Sequence, residues 1–136
     1  MITLRNFSFF TAWFFLILYL SFAPLKDWPK PGILERLYFD KVVHLTMYAG
    51  LCFFLVLGFY LQGKRKKVNP SRIVFSVILC ASIGLVIEWL QPVLTQFRRY
   101  EWADMLANVA GSALGYPLFS FFLRRNRWRQ KPLPGR

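Results

Sequence analysis

The sequence predicts an all-α, polytopic membrane protein: a four-transmembrane-helix bundle with both termini in the cytoplasm. Three observations predict it. Four apolar runs, each about long enough to cross a bilayer at about 1.5 Å per residue, divide the chain. Lys and Arg gather at the ends of these runs in a lopsided way. The ionisable residues inside the runs fall at one common depth.

A chain of 136 residues has room for one domain, 1–136. Its apolar share of 56%, with 15 Phe, 5 Trp and 6 Tyr, exceeds the soluble norm of about 45–50% and is clustered. A net charge of +12 would suggest nucleic acid in a soluble chain. Here the basic residues flank apolar runs, so they are read as a topology signal and nucleic acid is excluded as a partner. Cys52 and Cys80 lie within apolar runs without C-x-x-C or zinc spacing. They are read as small packing residues rather than a disulfide or thiolate site.

The first span is expected at about 7–23, a run without formal charge. A cleaved leader is the competing reading, since Ser21-Phe22-Ala23 resembles a small-x-Ala site. Pro24 directly after the cut and the length of the apolar core favour a retained helix. Residues 24–39 hold three prolines, a glycine and charges of both signs. They read as an irregular loop, with Trp28 and Tyr38 suited to the headgroup layer.

The second span, 40–62, is stopped by Gly63-Lys64-Arg65-Lys66-Lys67, which hydrocarbon would not accept. The third, 72–91, is expected to end at Pro92, whose missing N–H cannot continue the ladder. The fourth, 102–123, contains Pro117 and leads into a basic cytoplasmic tail, 124–136.

With the N-terminus in the cytoplasm, that side holds twelve basic residues: Arg5, Lys64 to Lys67, Arg72, and six in the tail. The other side holds six, namely Lys26, Lys30, Arg36, Lys41, Arg98 and Arg99, and all six acids: Asp27, Glu35, Asp40, Glu88, Glu101 and Asp104. The asymmetry obeys the positive-inside rule. The basic face also suits anionic lipid headgroups.

Helical spacing then assembles a candidate site. Asp40, His44 and Tyr48 stack on one face of the second span, with Lys41 beside them. Glu88 and Gln91 share a face of the third, continued inward by Gly84, Cys80 and Ser76. Asp104, Asn108, Ser112 and Tyr116 form a polar stripe on the fourth, next to a small stripe of Ala103, Ala107, Gly111 and Gly115 that permits close backbone approach. The second span starts outside, the third ends outside and the fourth starts outside. The polar groups are therefore expected to meet within about 10 Å of the outer interface. Ionisable groups avoid lipid, so they are expected to face one another. His44, Glu88 and Asp104 are the candidate catalytic residues, because imidazole and partly buried carboxylates can transfer protons near neutral pH. Asp40, Lys41, Tyr48, Gln91, Arg98, Arg99 and Asn108 are the candidate substrate-binding residues, the two arginines being placed to engage a phosphate or carboxylate. The donor types also suit a divalent metal. Without a motif such as H-E-x-x-H, no metal or other cofactor is assigned.

The ordered set Asp40-Lys41-x-x-His44-x-x-x-Tyr48, Glu88-x-x-Gln91, a loop arginine at 98 or 99, and Asp104-x-x-x-Asn108-x-x-Gly111-x-x-x-Gly115 resembles the VanZ-like membrane protein family over roughly residues 24–119. The resemblance implies a multi-pass protein of the bacterial cytoplasmic membrane with a site facing the cell envelope. It also implies a link to glycopeptide resistance, the family being named for a member associated with low-level teicoplanin resistance. It does not imply a settled activity.

Three functions compete. The first is binding or modification of an envelope lipid or lipid-linked cell-wall molecule, with membrane lipids or an anionic headgroup as partner. The second is a non-catalytic scaffold or partner-binding module in which the polar cluster is structural. The third, a proton-coupled transporter, ranks last, since every ionisable intramembrane residue lies in the outer half and a relay across the bilayer needs more.

Overall fold

The computed structural model describes residues 3–23, 39–63, 67–95 and 100–126 in full and 33–38 and 127–129 as backbone. A 3₁₀ turn, Leu4–Phe7, leads into α1 (Ser8–Phe22); α2 (Ile33–Gln62), α3 (Pro70–Leu94) and α4 (Trp102–Arg129) follow. Four helical segments are long and apolar enough to cross a membrane: Leu4–Phe22, Phe39–Gln62, Pro70–Leu94 and Trp102–Asn126. The described residues are thus an all-helical bundle of a multi-pass membrane protein.

The helix bounds correct the sequence reading in four places. The segment 24–39 was expected to be a loop throughout, yet α2 is already helical at Ile33. The helix breakers end at Pro31-Gly32, and the Leu, Glu and Arg that follow are good helix formers whatever their charge. α3 starts two residues earlier than expected because Asn69 caps it: its side-chain oxygen accepts from the Ser71 N–H at 3.0 Å, with Pro70 at the first helical position. Pro92 does not end α3 but sits inside it, the helix closing at Leu94 with the Thr95 N–H on the Gln91 carbonyl at 2.8 Å. Proline forfeits only its own bond, to the Glu88 carbonyl, and two more residues keep theirs. α4 runs on to Arg129, six residues past the expected end of the span and into the basic tail. Residues 24–32, including Trp28, the basic stop at 64–66, Arg98 and Arg99, and the tail beyond 129 lie outside the described residues.

Helix directions follow from the side-chain ties. Gln62, at the end of α2, receives the Thr3 N–H at 3.1 Å and the Asn6 amide at 3.0 Å. Gln91, at the end of α3, donates to the Ser21 carbonyl of α1 at 3.1 Å. Lys41, near the start of the α2 span, reaches Asp104 at the start of α4. The bundle therefore runs up-down-up-down, with α2 and α4 parallel. α2 is the central helix and touches all the others, whereas α1 and α4 do not touch among the described residues.

The α2–α4 seam is made by glycine. A Cβ on Gly111 would fall on the Leu45 carbonyl oxygen and 3.1 Å from the Ala49 nitrogen; one on Gly115 would stand 2.5 Å from the Cys52 Cβ and 2.9 Å from the Ala49 carbonyl oxygen. Only hydrogen fits there, as the small stripe anticipated. Further along, the seam passes to aromatic edges: Phe119 meets Phe53 at 5.8 Å and Tyr60 at 5.5 Å between centroids. α1 seats on α2 through Trp13, whose ring covers Gly50 and whose indole N–H donates to the Met47 carbonyl at 2.8 Å.

α3 buries Ser76, Cys80, Gly84 and Glu88, the face read from spacing. Cys52 and Cys80 are free, fully buried thiols that face each other across α2 and α3. Large apolar side chains such as Phe9, Phe15, Val74, Ile78, Leu106 and Phe121 point outward. That is expected where lipid, and not water, is the solvent.

Candidate functional site

The two ends of the bundle differ in charge. All of the acidic side chains described, Asp40, Glu88, Glu101 and Asp104, lie at the end where α2 and α4 begin and α3 finishes. Exposed Trp89, Tyr100 and Trp102 ring that end, as aromatic residues do at the membrane–water boundary. Arg5, Lys67, Arg72, Arg124 and Arg125 mark the opposite end, where the Arg72 guanidinium lies 5.5 Å from the Phe59 ring centroid.

At the acidic end the glycine seam sets how closely the polar residues of α2 and α4 approach. With Gly111 against Leu45, the register places Asn108 opposite His44 and Asp104 opposite Lys41, one turn apart. The Lys41 ammonium donates to Glu101 Oε2 at 3.2 Å and to Asp104 Oδ1 at 3.3 Å. Asp104 is in the first turn of α4, where the helix dipole favours a carboxylate. Its side chain is 6% exposed, against 29% for Lys41 and 45% for Glu101. The ion pair is therefore half in and half out, with the buried member at the bottom.

Below it, His44 Nδ1 and Asn108 Oδ1 are 3.0 Å apart and both side chains are buried. With the amide oxygen accepting, Nδ1 carries the proton, and the neutral imidazole then holds its lone pair on Nε2. That lone pair faces Asp40 Oδ1 at 3.9 Å, beyond hydrogen-bond length. One ligand atom from each of Asp40, His44 and Asp104 lies within 4.8 Å of the others. The Asn108 amide nitrogen is buried without a hydrogen-bond partner among the described residues.

The third helix meets this group one level deeper. A Cβ on Gly84 would stand 2.9 Å from both the Asn108 Cβ and the Tyr48 ring, so the three helices converge there. Glu88, one turn nearer the acidic end on the same face, is 2% exposed and electrostatically coupled to Tyr48. Ser112 closes the floor by bonding back to the Asn108 carbonyl at 2.8 Å.

The structure thus brings together Asp40, Lys41, His44, Asp104 and Asn108, with Tyr48 and Glu88 beneath and beside them. Gln91 points elsewhere, its amide tying α3 to the Ser21 carbonyl of α1. Glu101 was not singled out from the sequence. Its signal was its place three residues before Asp104, where it caps the start of α4 and its charge complements Lys41. Arg98 and Arg99 lie outside the described residues.

By fold and site, the chain is a four-span helical membrane protein with a polar cluster at one end of its bundle. Comparison with protein-family models, with curated proteins and with solved structures gives no match.

Proposed function

We propose that this is a VanZ-like protein of the bacterial cytoplasmic membrane that binds or modifies an anionic envelope lipid or lipid-linked cell-wall molecule at the acidic end of its bundle. The observation that carries the reading is a graded site. Half-buried Lys41 and Asp40 stand over buried His44, Asp104 and Asn108, and exposed apolar side chains such as Val42 and Leu106 lie on the same helices. A headgroup with its own anionic charge would exchange onto the Lys41 ammonium, which is now shared between two carboxylates. His44 beneath it is a candidate proton donor or acceptor, and Glu88 of α3, one turn nearer the acidic end than Gly84, is a second. In this reading the acidic end faces the envelope and both termini face the cytoplasm, as the basic residues at the other end require. The link to glycopeptide resistance belongs to the same proposal.

A scaffold role is the second reading, favoured by one specific observation: several of the named polar residues bind other helices, His44 and Asn108 among them. Lys41 ties α2 to α4, and Gln91 ties α3 to α1.

The test sets function beside stability. His44→Gln and Glu88→Gln keep most of the side-chain volume and hydrogen-bonding capacity. Both are expected to lose retention of a polyprenyl phosphate in detergent and to raise teicoplanin susceptibility in cells, with thermal unfolding nearly unchanged. Loss of binding only in proportion to loss of stability would overturn the lipid-site reading and leave the scaffold.

A further inference from the structure

We infer that Asp40, His44 and Asp104 form a binding site for one divalent first-row transition-metal ion. The inference concerns the same end of the bundle as the proposed lipid site but does not depend on lipid.

Four features of the geometry support it. One donor atom from each residue lies within 4.8 Å of the others. Metal bonds of about 2.0–2.2 Å hold neighbouring donors roughly 3.4 Å apart at tetrahedral angles, so closing the set takes about an ångström of side-chain motion. Asp40 is the half-exposed member that has room to move, its side chain being 40% exposed.

Next, the imidazole is prepared as a ligand. Asn108 fixes the proton on Nδ1, the arrangement by which a second residue orients a metal-bound histidine. His44 as a residue is only 7% exposed. Nε2 nevertheless has no hydrogen-bond partner among the described residues, and its nearest acidic oxygen, Asp40 Oδ1, stands 3.9 Å away. A cation held at about 2.0–2.2 Å from each of the two atoms fits a gap of that size.

Charge agrees with this. The two carboxylates of the set, Asp40 and Asp104, match the charge of one divalent ion. Finally, the donor set identifies the ion class. One imidazole nitrogen with two carboxylate oxygens suits manganese, iron or zinc in the divalent state better than magnesium or calcium. Three protein ligands leave at least one coordination position for an outside oxygen, as open metal sites do.

The chain contains one histidine, which makes the test direct. Untagged protein in detergent, stripped by chelator and without added lipid, is titrated with Mn²⁺ alone and followed by electron paramagnetic resonance. Saturation near one ion per chain is expected, with nitrogen modulation of the Mn²⁺ signal, which can arise only from His44 among imidazoles. Asp104→Asn and His44→Gln should each weaken binding at least tenfold, whereas Ser76→Ala, toward the basic end of α3, should leave it unchanged. Zn²⁺ should displace Mn²⁺ in competition. Absence of saturable binding, or saturable binding without imidazole nitrogen on the metal in the unmutated protein, would overturn the inference even if a variant failed to fold. Polyprenyl phosphate retention measured in excess chelator reads the lipid proposal separately, so either can fail alone.

Discussion

Replacing Gly111 by alanine adds one methyl group where α2 and α4 are closest. The new carbon would fall on the Leu45 carbonyl oxygen, with the carbonyl carbon at 3.0 Å and the Ala49 nitrogen at 3.1 Å. All three atoms are backbone, so no side chain can swing aside. The helices must part locally by about 0.5–1 Å, enough to forfeit a quarter to a half of each dispersion contact across the gap. Overpacking of this kind costs typically about 1–3 kcal/mol, and about 2 kcal/mol is expected for Gly111→Ala. Gly115→Ala should cost a similar amount, since its methyl would meet the Cys52 Cβ at 2.5 Å. The double variant should cost less than the sum, because one separation relieves both clashes. Gly63→Ala is the control: its added carbon finds the Phe59 carbonyl oxygen at 3.4 Å, an ordinary contact. Unfolding by a denaturing detergent, followed by tryptophan fluorescence, measures all four. If Gly111→Ala matched the unmutated protein within about 0.5 kcal/mol, the α2–α4 seam would not hold the bundle and the close approach that positions the site would be refuted.

Further outcomes follow from the same geometry. Reporter fusions after residues 66 and 136 should both report cytoplasm, since the basic residues collect at that end; an outside report from either would reverse the proposed orientation. Gln91→Leu removes the tie to the Ser21 carbonyl and should destabilise the bundle by about 0.6 kcal/mol, the usual worth of an interhelical hydrogen bond in a membrane, while leaving Mn²⁺ binding intact. A large loss of metal binding in that variant would show that α3 orders the site.

Depth along each helix was legible in the residues, because it depends only on counting. The alternation of spans placed Asp40, His44, Glu88 and Asp104 at one level, and the structure has them at one end of the bundle. Faces were legible where small and polar residues recur every four positions, as at Ser76, Cys80, Gly84 and Glu88. Rotation toward a particular neighbour was not. Gln91 shares the Glu88 face by spacing, yet three residues turn a helix by about 300°, and the difference carries its amide to α1. Helix ends were misplaced where charge was taken for a breaker. Glu35, Arg36 and the tail as far as Arg129 are polar but helix-forming, and α2 and α4 run through them. The 3.9 Å gap between His44 and Asp40 depends on rotamers and on the Asn108 contact from another helix. No spacing within α2 could have encoded it.

The parallel α2–α4 seam also has a consequence for biogenesis. The helix that completes the site leaves the ribosome after the other three. Between the synthesis of Gln62 and that of Asn126, the ends of the two spans, roughly 3–13 s elapse at about 5–20 residues per second. Through that interval His44, Tyr48 and Lys41 have no α4 to face, and α1 covers only the Met47–Gly50 side of their helix. A nascent chain stalled before Asp104 would hold Asp40 and α3 beside His44 but would lack the α4 partners of the Lys41 ammonium and of His44 Nδ1. The arrival of Asp104 and Asn108 is what completes those two contacts.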